Sequence, residues 1–307
     1  MKQWIQIFPV LSGILWGSAG VFVRDFTALG MDSITVVNMR IIPAIILIII
    51  GSAILDKNLL KIRLKDSWIF LGGGILGMLS LNLCYNEAIN HLTLSLAAVL
   101  LSLAPVFVLI LANIIFKEKL TLQKIICVIL AIVGCVFSSG VFETVGGLKW
   151  SFYGILLGTC GVFFYGIYSI FSKLAMARKY HCFTITIYCL LFASIALSPF
   201  TNWQIIGEVL NANPVDMGFF MIFHSIFVCV LPYTFFTIAL NYVEAGKVAI
   251  LASGEPVAAM IFGIFFFNEI PTYLSILGLI LVLLALCLLS IPAKKLSLQK
   301  NNLSKNE

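Results

Sequence analysis

Hydrophobic positions in this chain neither alternate nor keep to one helical face; they run on. Continuous apolar stretches cover Ile41–Leu55, Leu94–Phe116, Ile125–Ser138, Met217–Asn241, Val248–Phe267 and Ile276–Ile291. Several approach or exceed the roughly 18–20 residues that cross a hydrocarbon core. A soluble amphipathic helix would show a polar stripe, and a lipid-exposed barrel would show short alternating segments. Neither pattern is present, so the runs predict helices in lipid over 4–24, 33–55, 68–88, 93–116, 121–139, 150–172, 182–199, 217–241, 246–267 and 272–291. Trp68, Trp150 and Trp203 sit at or near predicted interfaces, where amphipathic rings belong. Pro43, Pro105, Pro232 and Pro256 fall inside predicted spans. Such breaks are tolerated when the freed carbonyls face protein or a cavity. Met1 to Arg24 lacks a basic start and a small-residue cleavage site, so Trp4 to Val23 reads as a retained first span.

Composition agrees. The 307 residues are 61% hydrophobic and 10% charged, with a mean hydropathy of +1.10, against about 25% charged for a soluble domain. The net charge of +6 matters less than its placement. With the N-terminus inside, all 19 Lys and Arg except Arg24, Arg40 and Lys149 fall on inner segments. That bias predicts both termini in the cytoplasm. The basic tail, 292–307, resembles a membrane-surface anchor and lacks the interleaved aromatics of a nucleic-acid arm, so no nucleic-acid partner is expected. The eight cysteines form no CxxC pair and no Cys/His ligand spacing, which predicts no metal site and no cofactor.

The second half echoes the first. Ser95 to Pro105 is repeated by Gly246 to Pro256 at an offset of 151, and the same offset carries Glu118 onto Glu269 and Ala88 onto Ala239. A near offset carries Trp16-Gly17 onto Tyr165-Gly166. These landmarks are polar or conformationally special, so they mark a duplication. An odd number of spans per unit inverts the second copy, the usual basis of alternating access around a midplane site. The expected fold is an all-α polytopic membrane protein with ten transmembrane helices in two inverted five-helix repeats, 4–139 and 150–291. With Trp16-Gly17, Asn38-Met39-Arg40, Ala104-Pro105, Phe116-Lys117-Glu118, Glu255-Pro256 and Asn268-Glu269 in this order, the chain resembles the EamA-type branch of the drug/metabolite transporter superfamily. The resemblance spans about residues 8–290 and implies a carrier of small organic solutes, many members exporting amino acids or related metabolites. It departs from repeat symmetry in having Ala104 where the second unit has Glu255.

Charges inside hydrocarbon are costly, so those that occur are candidate functional groups. Glu255, beside Pro256 near the middle of a predicted span, suits a substrate ammonium group or a coupling proton; stapling of neighbouring helices is the structural alternative. Arg40, seven residues into its span, suits a substrate carboxylate, an acid on another helix, or an interfacial anchor. Asn82, Asn86 and Asn90 are spaced by four with Tyr85 beside them, which predicts a polar face towards a cavity or a neighbouring helix. Trp16, Tyr165 and Tyr168 are candidates for an aromatic wall, and Pro105 and Pro256 for helix breaks. His224, Tyr233 and Asn241 are weaker candidates. Gly13 and Gly17, Gly73 and Gly77, and Gly154 and Gly158 make small-residue faces for close helix packing. The run Gly72-Gly73-Gly74 lacks the following Gly-Lys-Ser/Thr of a phosphate loop.

Three histidines, at 91, 181 and 224, stand far apart without a catalytic partner pattern, which argues against an enzyme. The expected function is a secondary transporter working by alternating access and exporting a small organic metabolite such as an amino acid, with a proton as the candidate coupling ion. A broad-specificity drug or nucleotide-sugar-like carrier and a non-transporting receptor or assembly protein are the alternatives. The expected partners are a small-molecule solute and membrane lipids, with a homodimer left open. The expected location is a bacterial cytoplasmic (plasma) membrane.

Overall fold

The computed structural model describes residues 4–91, 100–138, 151–267 and 272–290, without some side chains such as those of Arg24, Asn86, Asn90 and Pro256. Helices dominate. In chain order they are α1 (Ile7–Gly17), α2 (Ala19–Ala28), α3 (Ser33–Leu55), α4 (Ser67–Leu71), α5 (Ser80–His91), α6 (Ala104–Phe116) and α7 (Leu122–Ser138). Then follow α8 (Phe152–Ala177), α9 (Cys182–Leu197), α10 (Trp203–Ala212), α11 (Pro214–Ser225), α12 (Leu231–Tyr242), α13 (Ala245–Ala252), α14 (Glu255–Phe267) and α15 (Tyr273–Ser290). Two π-helical segments, Gly72–Leu79 and Ile226–Val230, join α4 to α5 and α11 to α12. The starts are capped where the sequence offers a short polar side chain: Asp32 accepts the Thr35 amide at 2.8 Å, and Ser151 accepts that of Gly154 at 3.2 Å.

The expectation of ten spans in two inverted sets of five is overturned. Among the described residues six helical stretches are long and apolar enough to cross a membrane: Trp4–Ala28, Ser33–Leu55, Leu64–Tyr85, Phe152–Ala177, Cys182–Phe200 and Pro214–Tyr242. The apolar helices Ala104–Phe116, Leu122–Phe137 and Tyr273–Leu289 are shorter. The physical cause is turn chemistry that hydropathy does not register. The predicted span 246–267 is cut by a turn at Ser253-Gly254, and turn residues Ser102-Leu103 precede α6. A 13-residue helix such as α6 or α14 rises only about 20 Å, short of the roughly 30 Å core. The positions expected for both termini fall outside the described residues.

The surface has the polarity of a lipid-solvated protein. Ile46, Ile50, Ile54, Ile114, Phe265, Phe266 and Leu283 are exposed, whereas Ser12, Asn38, Thr186, His224 and Thr237 are buried. The interior polar groups are mostly satisfied locally, as where Thr237 donates to the Tyr233 carbonyl at 2.6 Å.

One inter-helix seam is fastened at both ends. At one end the Asn38 amide on α3 donates to Thr201 Oγ1 at 2.7 Å and accepts from Ser194 Oγ on α9, also at 2.7 Å. At the other end Thr184 and Tyr188 on α9 donate to the carbonyls of Leu59 and Leu60 at 2.6 and 2.7 Å. Asn38→Ala takes the acceptor from Ser194 and one of the two bonds from Thr201, which keeps its bond to the Leu197 carbonyl, and is expected to cost about 1.5 kcal/mol. In detergent that is a melting-point fall of a few degrees; an unchanged Tm would show that the seam does not depend on this amide.

Candidate functional site

The two echoed segments meet. Among the described residues a small pocket of about 20 Å³, room for about one water molecule, is lined by Leu101, Ser102, Ala104 and Pro105 from the first and by Ala249, Ala252, Ser253 and Glu255 from the second, with Tyr165 on a third side. The second segment is a helix, a turn and a new helix (α13, Ser253-Gly254, α14), and in the first the turn residues Ser102-Leu103 lead into α6. Pro105 and Pro256 are the second residues of α6 and α14, so they start helices and do not kink them. That is the favourable place for proline, since the first-turn N–H has no intrahelical partner anyway. Glu255 correspondingly sits at the first residue of α14 and not mid-helix, where unpaired amides and the helix dipole favour a negative charge. Ala104 and Glu255, the pair that breaks repeat symmetry, line the same cavity.

An aromatic cluster borders the pocket. Trp16 lies edge-on to Tyr165 with centroids 6.4 Å apart, 5.2 Å from the Tyr233 ring and 5.5 Å from Phe236. Trp16 and Tyr165, which occupy matching repeat positions, are thus in direct contact. Tyr168 is buried in the core, packed 5.5 Å from Tyr233 and 6.1 Å from Phe236, and is not among the pocket's lining residues. Tyr233 and Phe236, three apart on α12, carry more of this cluster than sequence reasoning assigned them. The i, i+3 spacing after Pro232 was the available signal.

Arg40 is half-buried on α3, and its Nη2 donates to Asn82 Oδ1 at 3.1 Å. Asn82 in turn donates to the Met78 carbonyl at 2.7 Å. The buried Arg40 Nε has no partner, and among the described residues no carboxylate is in ion-pair contact with this guanidinium. Glu255 nevertheless lies within electrostatic reach of Arg40, Tyr85, Tyr165 and Tyr233. The Asn86 side chain lies outside the described ones. His224 is fully buried against Phe22, 5.0 Å away, and both ring nitrogens lack partners. Asn241 is exposed, away from this set.

A second polar constellation gathers the Lys and Arg of loops and helix ends. Arg178 pairs with Asp66, which also accepts the Tyr180 hydroxyl at 2.6 Å. Burial, and then this hydrogen bond to the carboxylate, push the Tyr180 phenol above its ordinary range. Lys173 pairs with Glu118, and Lys124 with Glu244.

The profile of the EamA-like transporter family matches this chain twice, over residues 3–140 and 152–291. The chain belongs to the EamA-like transporter family. Similar proteins run along nearly its full length. An uncharacterized transporter of Archaeoglobus fulgidus is 27% identical over 290 residues, covering 93% of this chain and 98% of that protein. One of Haemophilus influenzae is 26% identical over 261 residues, covering 83% and 81%. The uncharacterized transporter YdfC of Bacillus subtilis is 23% identical over 289 residues, covering 92% and 90%. A crystal structure 15% identical, covering 95% of this chain and 98% of its own, superposes with a TM-score of 0.75 and shares the fold. This EamA-like chain is therefore a multi-pass membrane protein and a secondary transporter of small molecules. Its pocket lies where segments of the two family-matched units face each other.

Proposed function

We propose that this EamA-like protein works by alternating access between its two family units and exports a small zwitterionic metabolite of the amino-acid class. Glu255 receives the ammonium group, and Arg40 the carboxylate. The observation that carries the reading is the placement of Glu255: a carboxylate at the start of a broken helix, in a pocket walled by both units, within electrostatic reach of Arg40. Discontinuous helices at a repeat interface are the usual setting of a carrier's central site. A carboxylate in a low-dielectric pocket needs a positive partner, so a proton and the substrate ammonium compete for it. That competition makes inward proton movement able to drive substrate outward. Trp16 and Tyr165 offer ring faces and edges to the uncharged part of the solute, and Tyr85 and Asn82 supply neighbouring polar groups.

Lys and Arg of the described loops, including Lys57, Lys61, Arg63, Lys117, Lys119, Arg178 and Lys179, mark the basic end of the bundle, which the positive-inside rule turns towards the cytoplasm. The setting proposed is a bacterial cytoplasmic membrane. The decisive experiment is a metabolite-library flux screen in sealed vesicles, with proton and sodium gradients imposed separately. Amino-acid flux driven by the proton gradient supports the reading; no flux of any solute overturns it.

A second reading, export of organic cations, is favoured by the aromatic cluster beside Glu255. Arg40 separates the two. Arg40→Gln is expected to lower zwitterion flux at least about tenfold, the worth of one lost charge-assisted hydrogen bond. It should leave the flux of a carboxylate-free amine unchanged or raised. Equal loss for both solutes would remove Arg40 from substrate recognition.

A further inference from the structure

Glu118 follows α6 directly, after Lys117 has turned the chain in a left-handed conformation (φ 54). Its side chain is only 7% exposed, yet its carboxylate is fully engaged. One oxygen accepts from Lys173 on α8 and from the Ala245 amide at 2.8 Å, and the other from the Gly246 amide at 3.3 Å. Those amides are the first two of α13. The residue before them, Glu244, makes no side-chain cap to its own helix, because its carboxylate is drawn away to Lys124. The cap that a helix normally takes from its own N-cap residue thus comes from the other family unit. Lys173 is held in place as well, with its ammonium 5.4 Å above the Phe116 ring.

α13 is only about 12 Å long. Its start is held by Glu118, and its far end supplies Ala249 and Ala252 to the pocket before the Ser253-Gly254 turn and Glu255. The α3–α9 seam is bonded at both its ends, whereas α13 meets a charged clasp at the basic end and a cavity at the other.

We propose that Glu118 is a positioning residue for transport: the clasp of a gate at the basic end, whose release frees the start of α13 and opens the pocket to that side. The inference deepens the alternating-access reading, but its test needs neither a substrate nor transport. Cys127 on α7 is buried near Lys247 and packs in one apolar cluster with Leu109, Ile250 and Leu251, beneath this gate. Cys189 and Cys229 are buried in the larger core cluster, which also takes in Ala245, Val248, Ala249 and Ala252 of α13; they sit on other elements, Cys189 on α9 against Gly73 and Cys229 in the π-helical segment before α12. Wild-type and Glu118→Gln protein, purified in detergent, are treated with a water-soluble maleimide, and labelling of each cysteine is followed by peptide mass spectrometry. The expected result is a rise of at least about tenfold in the Cys127 rate, with Cys189 and Cys229 unchanged, because loss of a buried charge-assisted contact releases one local unit. Lys173→Met should give the same pattern at smaller size, and it carries the test if Glu118→Gln does not fold. An unchanged Cys127 rate overturns the gate. A parallel rise at all three cysteines overturns it too, since that is the signature of general loosening. Either failure leaves the transport reading standing, which only the flux screen addresses.

Discussion

Glu255→Gln is expected to cut proton-driven export of a zwitterionic solute roughly a hundredfold in sealed vesicles, with the protein folded and inserted as in the wild type. The substitution is nearly isosteric, keeps a hydrogen-bonding end at the start of α14, and removes only the charge and the titratable proton. A substrate ammonium deprived of its carboxylate in a desolvated pocket loses a charge-assisted contact, worth about 1.5–3 kcal/mol, or about 10- to 150-fold. The two duties given to Glu255 predict different residues of activity. If it only exchanged protons with the gradient, counterflow between preloaded and external solute would survive in the Gln variant. If it also holds the ammonium, counterflow falls with net export. The proposal requires both to fall, and Glu255→Asp, with the charge kept and one methylene lost, to recover part of each. Unchanged proton-driven flux in the Gln variant would remove Glu255 from the mechanism.

What was legible beforehand divides along physical lines. Lipid solvation shows in composition because every outward position must be apolar, and duplication shows because proline and glutamate at a common offset stand out against leucine and isoleucine. Glu255 was legible as a candidate for the same reason: a charge in an apolar run has few innocent explanations. The number of crossings was not legible. Hydropathy stays high through Ser253-Gly254, while the backbone turns there and a new helix begins at Glu255-Pro256. Pairings across the chain were also hidden. That Arg40 would find the neutral Asn82, or that Glu118 would cap a helix 127 residues away, depends on packing that no spacing rule encodes. The aromatic cluster was half legible: Trp16 and Tyr165 stood out through the repeat, whereas Tyr233 was only a weaker candidate and Phe236 was lost among 25 Phe.

The largest effect on stability is expected at Gly74, in the π-helical stretch against α9. A β-carbon there would stand 2.4 Å from the Cys189 carbonyl oxygen and 3.1 Å from its carbonyl carbon, and backbone cannot swing aside as a side chain can. Gly13 presents the same problem to the Ala252 carbonyl oxygen, also at 2.4 Å, beside the turn that leads to Glu255. In lipid, helices are held by close van der Waals fit, since burial from an apolar solvent gives little. Forcing two backbones apart therefore loses contacts along the whole crossing and not at one point. Gly74→Ala and Gly13→Ala are each expected to cost about 3 kcal/mol or more, and Gly74→Val to prevent recovery of folded protein. Gly51 supplies the contrast, because nothing lies within 4 Å of its missing β-carbon. Gly51→Ala, inside α3, should be neutral or stabilising by up to about 1 kcal/mol, through helix propensity alone. Melting curves of the three alanine variants in one detergent decide the matter. A Gly74→Ala protein that melts with the Gly51→Ala protein would mean that the α9 contact yields without cost. The Gly13 variant carries a second readout: if its helix moves off Ala252, the pocket widens and substrate affinity falls together with Tm.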